Sequence, residues 1–129
     1  MFDPHTIQKF SSTSRRDWLE WSGMSLADVI DEDSPAAKLD AVGFLRAPEG
    51  AASRFNFLYD EVLVITRGRC ALRSRDRLIV AASGDVLYVP AGTSGTIEAV
   101  ETLELVYVAV SPFGKLTPEM KQALLTAAA

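Results

Sequence analysis

Between Asp40 and Val110 apolar and polar residues alternate with a period close to two, in short runs cut by Gly, Pro, Ser and Asp. That period puts successive side chains on opposite faces of an extended chain, so it selects half-buried β-strands and disfavours helices. AVGFLRA alternates around Val42, Phe44 and Arg46, and Pro48, Glu49 and Gly50 mark a turn. FNFLYDEVLVIT has the aromatic and β-branched content of strands and ends at Arg67-Gly68-Arg69. CALRSR and RLIVA flank Ser74 to Asp76, which reads as a hairpin. Ser83-Gly84-Asp85 turns the chain, VLYVP stops at Pro90, and GTIEA and LELVYVAV follow. Turns at roughly 8–12-residue intervals, with no long helical period between strands, predict an all-β sandwich or barrel and argue against a parallel α/β sheet.

The flanks read differently. Thr6 to Phe10 suggests a short strand, Ser11 to Arg16 a polar loop, and Trp18, Leu19 and Trp21 form an apolar cluster. Ser25 to Ile30 alternates weakly, and DEDSP over 31–35 has turn chemistry. Near the end, Thr117 suits an N-cap, Pro118 the first helical position and Glu119 the positive helix terminus. Met120, Leu124 and Leu125 add a modest apolar stripe, so a short C-terminal helix is expected. The predicted organisation is an N-terminal arm or strand over 1–24, a barrel over 25–112, and a tail with a helix over 113–129.

Composition limits the function. The 129 residues are 48% hydrophobic, enough for one core, and the formal net charge is −4, which offers no broad basic face for nucleic acid. The longest apolar run, Leu103 to Val110, is interrupted by Glu104 and falls far short of the roughly 20 residues that span a bilayer. MFDPHTIQKF lacks a basic start followed by an apolar stretch, so no signal peptide is expected and the cytoplasm is the expected compartment. Cys70 is the single cysteine, which excludes an intramolecular disulfide, and its apolar strand marks it as a structural thiol. His5 is the single histidine, which excludes a metal site built on two or three imidazoles and a Ser-His-Asp triad. No phosphate loop is present, because GTSGT over 92–96 lacks the lysine, and no cofactor is expected.

Two segments stand out by their spacing. In EVLVITRG six residues separate Glu61 from Gly68, and in GDVLYVPAG Gly84 is followed by Pro90 and Gly92. The glycines permit tight turns after strands, and Pro90 ends the donation of ladder hydrogen bonds. This pairing resembles the two motifs of the cupin superfamily. YDEVLVITRG (59–68), SGDVLYVPAGTS (83–94), LVYVAVSP (105–112) and ADVID (27–31) are similar, more closely, to the EutQ-type cupin of ethanolamine utilization. The resemblance implies a double-stranded β-helix, a jelly-roll-like barrel, over about residues 25–112. It departs from metal cupins, whose two histidines before the motif glutamate would fall on Arg54 and Asn56 or on Phe55 and Phe57, and whose third would fall on Gly95. A lone Glu61 does not hold a transition metal, which wants three or four ligands with nitrogen donors. The EutQ-type cupin also lacks the full histidine set.

Strand alternation nominates the site. With Glu61 inward, Tyr59 points inward too and Asp60 outward. Glu61 is the candidate general acid or base; its structural alternative is a buried carboxyl bonded to a tyrosine or to backbone. Tyr59 and Tyr107 are candidate ligand contacts, or core aromatics with satisfied hydroxyls. Arg46, sharing a face with Val42 and Phe44, needs an anionic partner if that face is the inner one: Glu61, Glu98 or a bound carboxylate or phosphate. Glu98 is placed at the same mouth. The arginines at 67, 69, 73, 75 and 77 share one parity and read as a solvated hairpin face.

For function, the resemblance implies an accessory role in ethanolamine or related small-molecule catabolism, association with bacterial microcompartments, and acetate kinase-type phosphoryl transfer. The expected ligand is small and polar or anionic, and the expected assembly is a homodimer. The second reading is a non-enzymatic dimeric binding or assembly module, with Trp18 and Trp21 on the arm that docks.

Overall fold

The computed structural model describes residues 2–14, 17–31, 34, 37–111, 117–120 and 122–123. Within them ten strands follow one another: β1 (Leu19–Trp21), β2 (Met24–Ile30), β3 (Ala41–Ala47), β4 (Ala52–Asn56), β5 (Asp60–Arg67), β6 (Arg69–Ser74), β7 (Arg77–Ala82), β8 (Val86–Val89), β9 (Ser94–Ala99) and β10 (Leu103–Val110). They form a six-stranded sheet in the order β1-β2-β3-β10-β5-β8 and a four-stranded sheet in the order β4-β9-β6-β7. Every pairing is antiparallel.

The alternation explains the packing. β10 reads buried at Leu103, Leu105, Tyr107 and Ala109 and more open at the residues between. Leu105 lies between Leu45 of β3 and Ile65 of β5 in register, and this row meets Phe55, Leu72 and Ile97 of the opposite sheet in one core cluster. Burying each large aliphatic chain contributes about 1.5–3 kcal/mol, so this row anchors the sandwich. Gly68, at φ 78° between β5 and β6, is required sterically: a Cβ there would stand 1.9 Å from the Thr102 carbonyl oxygen.

The structure sharpens two local readings of the sequence and revises a third. The run FNFLYDEVLVIT is two strands, because the chain leaves the four-stranded sheet after Asn56 and joins the other at Asp60. The Phe57 N–H donates to the Thr93 carbonyl at 3.1 Å and the Gly92 N–H to the Phe57 carbonyl at 2.8 Å, which fixes this crossing. Thr6 to Phe10 is not a strand. Leu19–Trp21, within the segment expected to be an arm or strand, pairs with β2, and Met24 is fully buried, so the six-stranded sheet includes residues upstream of 25.

At the other end, residues 118–120 and 122–123 are helical. The Met120 N–H donates to Thr117 Oγ1 at 3.2 Å, the N-cap bond expected there. Leu124 and Leu125 lie outside the described residues. Among those described, no helix is long and apolar enough to cross a membrane.

Candidate ligand cavity

Both sheets line an open cavity of about 460 Å³. Its walls are mainly apolar. Leu45, Leu63 and Leu105 come from the six-stranded sheet, Phe55 and Ile97 from the four-stranded one, and Trp21 and Leu26 from the β1–β2 hairpin. Phe55 and Phe57 stack with centroids 4.7 Å apart. The polar lining is Asp28, Arg54, Asn56, Tyr59, Glu61 and Tyr107. A volume of this size, apolar with a few converging polar groups, has the form of a small-molecule site.

Register sets the polar groups. Asp28, Gly43 and Tyr107 lie side by side on β2, β3 and β10. Tyr107 lays its ring over Gly43, where a Cβ would come within 2.3 Å of the hydroxyl oxygen, and donates that hydroxyl to the Asp28 carboxylate. One row further along, Glu61 lies next to Ala109, which is opposite Ala41. Two alanines beside the carboxyl leave its side of the sheet open to the cavity.

Glu61 is only 7% exposed, and among the described residues no hydrogen bond or ion pair reaches its carboxyl. Burial pushes its pKa up to about 8, and the charges of Asp28 and Asp40 push the same way. Asp40 is buried behind this site: its N–H donates to the Ala109 carbonyl at 2.9 Å, and its Oδ2 accepts the Ser111 hydroxyl at 2.7 Å. At neutral pH Glu61 is therefore mostly a neutral acid, able both to donate and to accept. The Tyr107 phenol is raised by burial and by its bond to Asp28, so it stays protonated.

Of the sequence-nominated residues, Glu61, Tyr59 and Tyr107 meet at the cavity. Arg46 does not. Leu45 and Ala47 are buried, which turns Arg46 to the outer face, where its guanidinium lies over the Trp18 ring, 3.9 Å from the centroid. Glu98 is outward as well, between the buried Ile97 and Ala99. The expectation that Arg46 and Glu98 share the mouth is thus corrected by strand parity. Asp60 is half-buried, and its Oδ1 accepts the Ala91 N–H at 2.9 Å, tying β5 to the turn after β8. On the hairpin, Arg67 pairs with Glu104 at 3.1 Å, with both side chains exposed.

Asp28, Trp21 and Arg54 were not nominated. Asp28 follows Leu26 at the strand period, but a register shift between Asp28 and Ile30 blurs the alternation that would have shown it. Arg54 and Asn56, two of the positions where metal cupins carry histidine, do line the cavity. The donors around Glu61 are carboxyl, phenol, amide and guanidinium, with no imidazole, and the described residues hold no cluster of three or more His, Cys, Asp or Glu able to seat an ion. The metal centre common in this fold does not fit this donor set.

Two antiparallel sheets wrapped around a cavity, with the motif glutamate on its wall, define a cupin. The chain is similar to the cupin domain of Cnp3 from Schizosaccharomyces pombe, with a TM-score of 0.69 and 18% identity over 81% of this chain and 74% of that one. The family of the ethanolamine utilisation protein EutQ matches residues 9–112, and the chain belongs to that family. A solved ethanolamine utilization protein Q from Salmonella typhimurium LT2 has a TM-score of 0.65 and 23% identity, covering 72% of this chain and 77% of that one. The acetate kinase EutQ of Escherichia coli K12 is 27% identical over 95 residues, which are 74% of this chain and 40% of the relative. The chain therefore spans about two fifths of the length of that curated relative.

Proposed function

We propose that this EutQ-family cupin serves ethanolamine or related small-molecule catabolism in the cytoplasm by holding a small polar ligand in its cavity, with Glu61 as the central contact and Tyr59 and Tyr107 beside it. The observation that carries this reading is the buried, unpartnered Glu61 carboxyl on an otherwise apolar wall. A polar group left unsatisfied there costs about 1–3 kcal/mol, and a ligand that bonds to it recovers that energy.

The name of the Escherichia coli relative supports phosphoryl transfer between ATP and acetate as the chemistry. Incubating the protein with acetate, ATP and Mg²⁺ and measuring acetyl phosphate tests it. Turnover that is lost in Glu61→Gln supports the transfer. No acetyl phosphate above that variant contradicts it.

A dimeric binding module is the second reading. Val86 and Tyr88 are 62% and 64% exposed on β8, one edge of the six-stranded sheet, and Leu78 and Val80 are exposed on β7, the edge of the other. Apolar side chains on two edges joined by a short turn suit a self-complementary contact. Sedimentation of wild type against Val86→Asp checks it: a wild-type dimer that the substitution dissociates supports the module, and a monomer at all concentrations opposes it. Microcompartment components are the partners this family reading points to.

A further inference from the structure

The cavity is larger and more apolar than acetate needs. Its volume is about 460 Å³, whereas a water molecule's share of the liquid is about 30 Å³ and acetate takes only about three such shares. The apolar wall runs on from Glu61 in register. Leu63 follows on β5, beside Tyr107, which is itself opposite Gly43, and Leu105 and Leu45 pair in the next row. At about 3.4 Å per residue, that row lies roughly 14 Å along the strands from the row of Glu61. Phe55 and Ile97 face this wall from the other sheet. The charges leave room for an anion. Besides Glu61, the charged residues on the wall are Asp28 and Arg54, which are opposite in sign. Asp40 lies buried behind, its Oδ2 accepting the Ser111 N–H at 2.5 Å and the Ser111 hydroxyl at 2.7 Å.

We propose that the cavity takes a monocarboxylate with an alkyl chain longer than acetate's, of which hexanoate is an example, whose carboxylate bonds to the Glu61 carboxyl and whose chain lies along Leu63, Leu105 and Leu45. The proposal rests on the reading of this cavity as a ligand site and adds the chain of the ligand; acetate is then the shortest acid of the class. Acetate leaves most of the apolar wall against water, and each further methylene that covers it strengthens binding roughly threefold to fourfold.

Binding is linked to a proton. The titratable and charged groups around Glu61 are Asp28 of β2, Asp40 before β3, Arg54 of β4, Tyr59 before β5 and Tyr107 of β10. With a pKa of about 8, Glu61 keeps its proton at pH 7 and offers the incoming carboxylate an O–H donor that no described residue occupies. One proton then serves two carboxyls, because like charges this close do not both ionise. Raising the pH from 7 to 9 takes that proton away and weakens binding roughly tenfold, the ratio of protonated fractions at a pKa of about 8.

The test follows the indole N–H of Trp21, which lines the cavity, by NMR while sodium acetate, butyrate and hexanoate and 1-hexanol are titrated separately at constant ionic strength. The expected result at pH 7 is affinity rising along the acid series, with hexanoate at least thirtyfold tighter than acetate. At pH 9 hexanoate is expected to weaken roughly tenfold while 1-hexanol changes less than twofold, from the loss of the Glu61 proton. Glu61→Gln keeps an N–H donor, so it is expected to bind hexanoate at pH 7 and to lose the pH dependence. Acetate binding as tightly as hexanoate overturns the chain assignment and leaves the cavity reading standing. Hexanoate and 1-hexanol responding alike to pH overturns the carboxylate contact with Glu61. No shift of Trp21 with any of the four overturns both the proposal and the cavity reading. The four-ligand comparison on wild type decides the matter even where the variant does not fold.

Discussion

Tyr107 reaches Asp28 across Gly43, the residue that separates them in register on the central sheet. This contact joins a buried phenol to an acid at the cavity mouth, and it exists because β3 carries no side chain at the crossing point. Gly43→Ala is therefore expected to be costly. Its Cβ would stand 2.3 Å from the Tyr107 hydroxyl and 2.6 Å from the Ala27 carbonyl oxygen, a backbone atom that cannot step aside. Overpacking of this kind costs about 1–3 kcal/mol. Urea unfolding of wild type and Gly43→Ala checks it, and unchanged stability opposes the crossing geometry.

The same glycine explains what the sequence hid. On β3 the inward set is Gly43, Leu45 and Ala47, while Val42, Phe44 and Arg46 form the outer set. By hydrophobicity alone the outer set is the more apolar at its first two positions, so Arg46 looked inward. The inner face is small there because Tyr107 fills it. Glu61, Tyr59 and Tyr107 were legible because the motif glutamate fixes parity on β5 and because β10 alternates cleanly. Asp28 was not, since the irregularity before Ile30 breaks its strand's period. Strand existence was legible almost throughout β3–β10, but a strand that hands over to the other sheet, as at Phe57, keeps its apolar composition and shows no break.

Arg46 and Trp18 give a second outcome. Arg46→Ala is expected to lose about 0.5–1 kcal/mol, the scale of an exposed cation–π contact, and to leave ligand binding unchanged. Thermal unfolding combined with the acetyl phosphate assay of wild type and variant checks both halves. A large loss of turnover would place Arg46 at the site after all.

Stability should fall with rising pH through Glu61. Its carboxyl binds a proton more tightly in the folded chain, where the pKa is about 8, than at its ordinary value of 4.5. The folded state is thus favoured fully below that ordinary value, and this contribution is lost as pH rises through about 8. Glu61→Gln lacks the term. Relative to the variant, wild type is expected to lose on the order of 2–5 kcal/mol between pH 4 and pH 9. Denaturant midpoints for both proteins across that range measure it, and parallel curves contradict it.

Cys70 is fully buried, and its pKa is pushed up to about 11, chiefly by burial. The thiolate is the reactive form. At pH 8 the folded protein is expected to resist a disulfide reagent, with modification proceeding at the rate of unfolding and becoming immediate in denaturant. Fast labelling of the native protein would contradict this burial.

The proton on Glu61 follows from the burial of its carboxyl, and it can be watched directly. With glutamate side chains labelled at the carboxyl carbon, the resonance missing from Glu61→Gln identifies this group, and its ¹³C shift follows ionisation. A midpoint near pH 8 is the result the structure requires, given the causes that raise this group to about 8. A midpoint near 4.5, the ordinary value for a glutamate, would mean that Glu61 is solvated or paired and that the cavity does not hold a neutral acid.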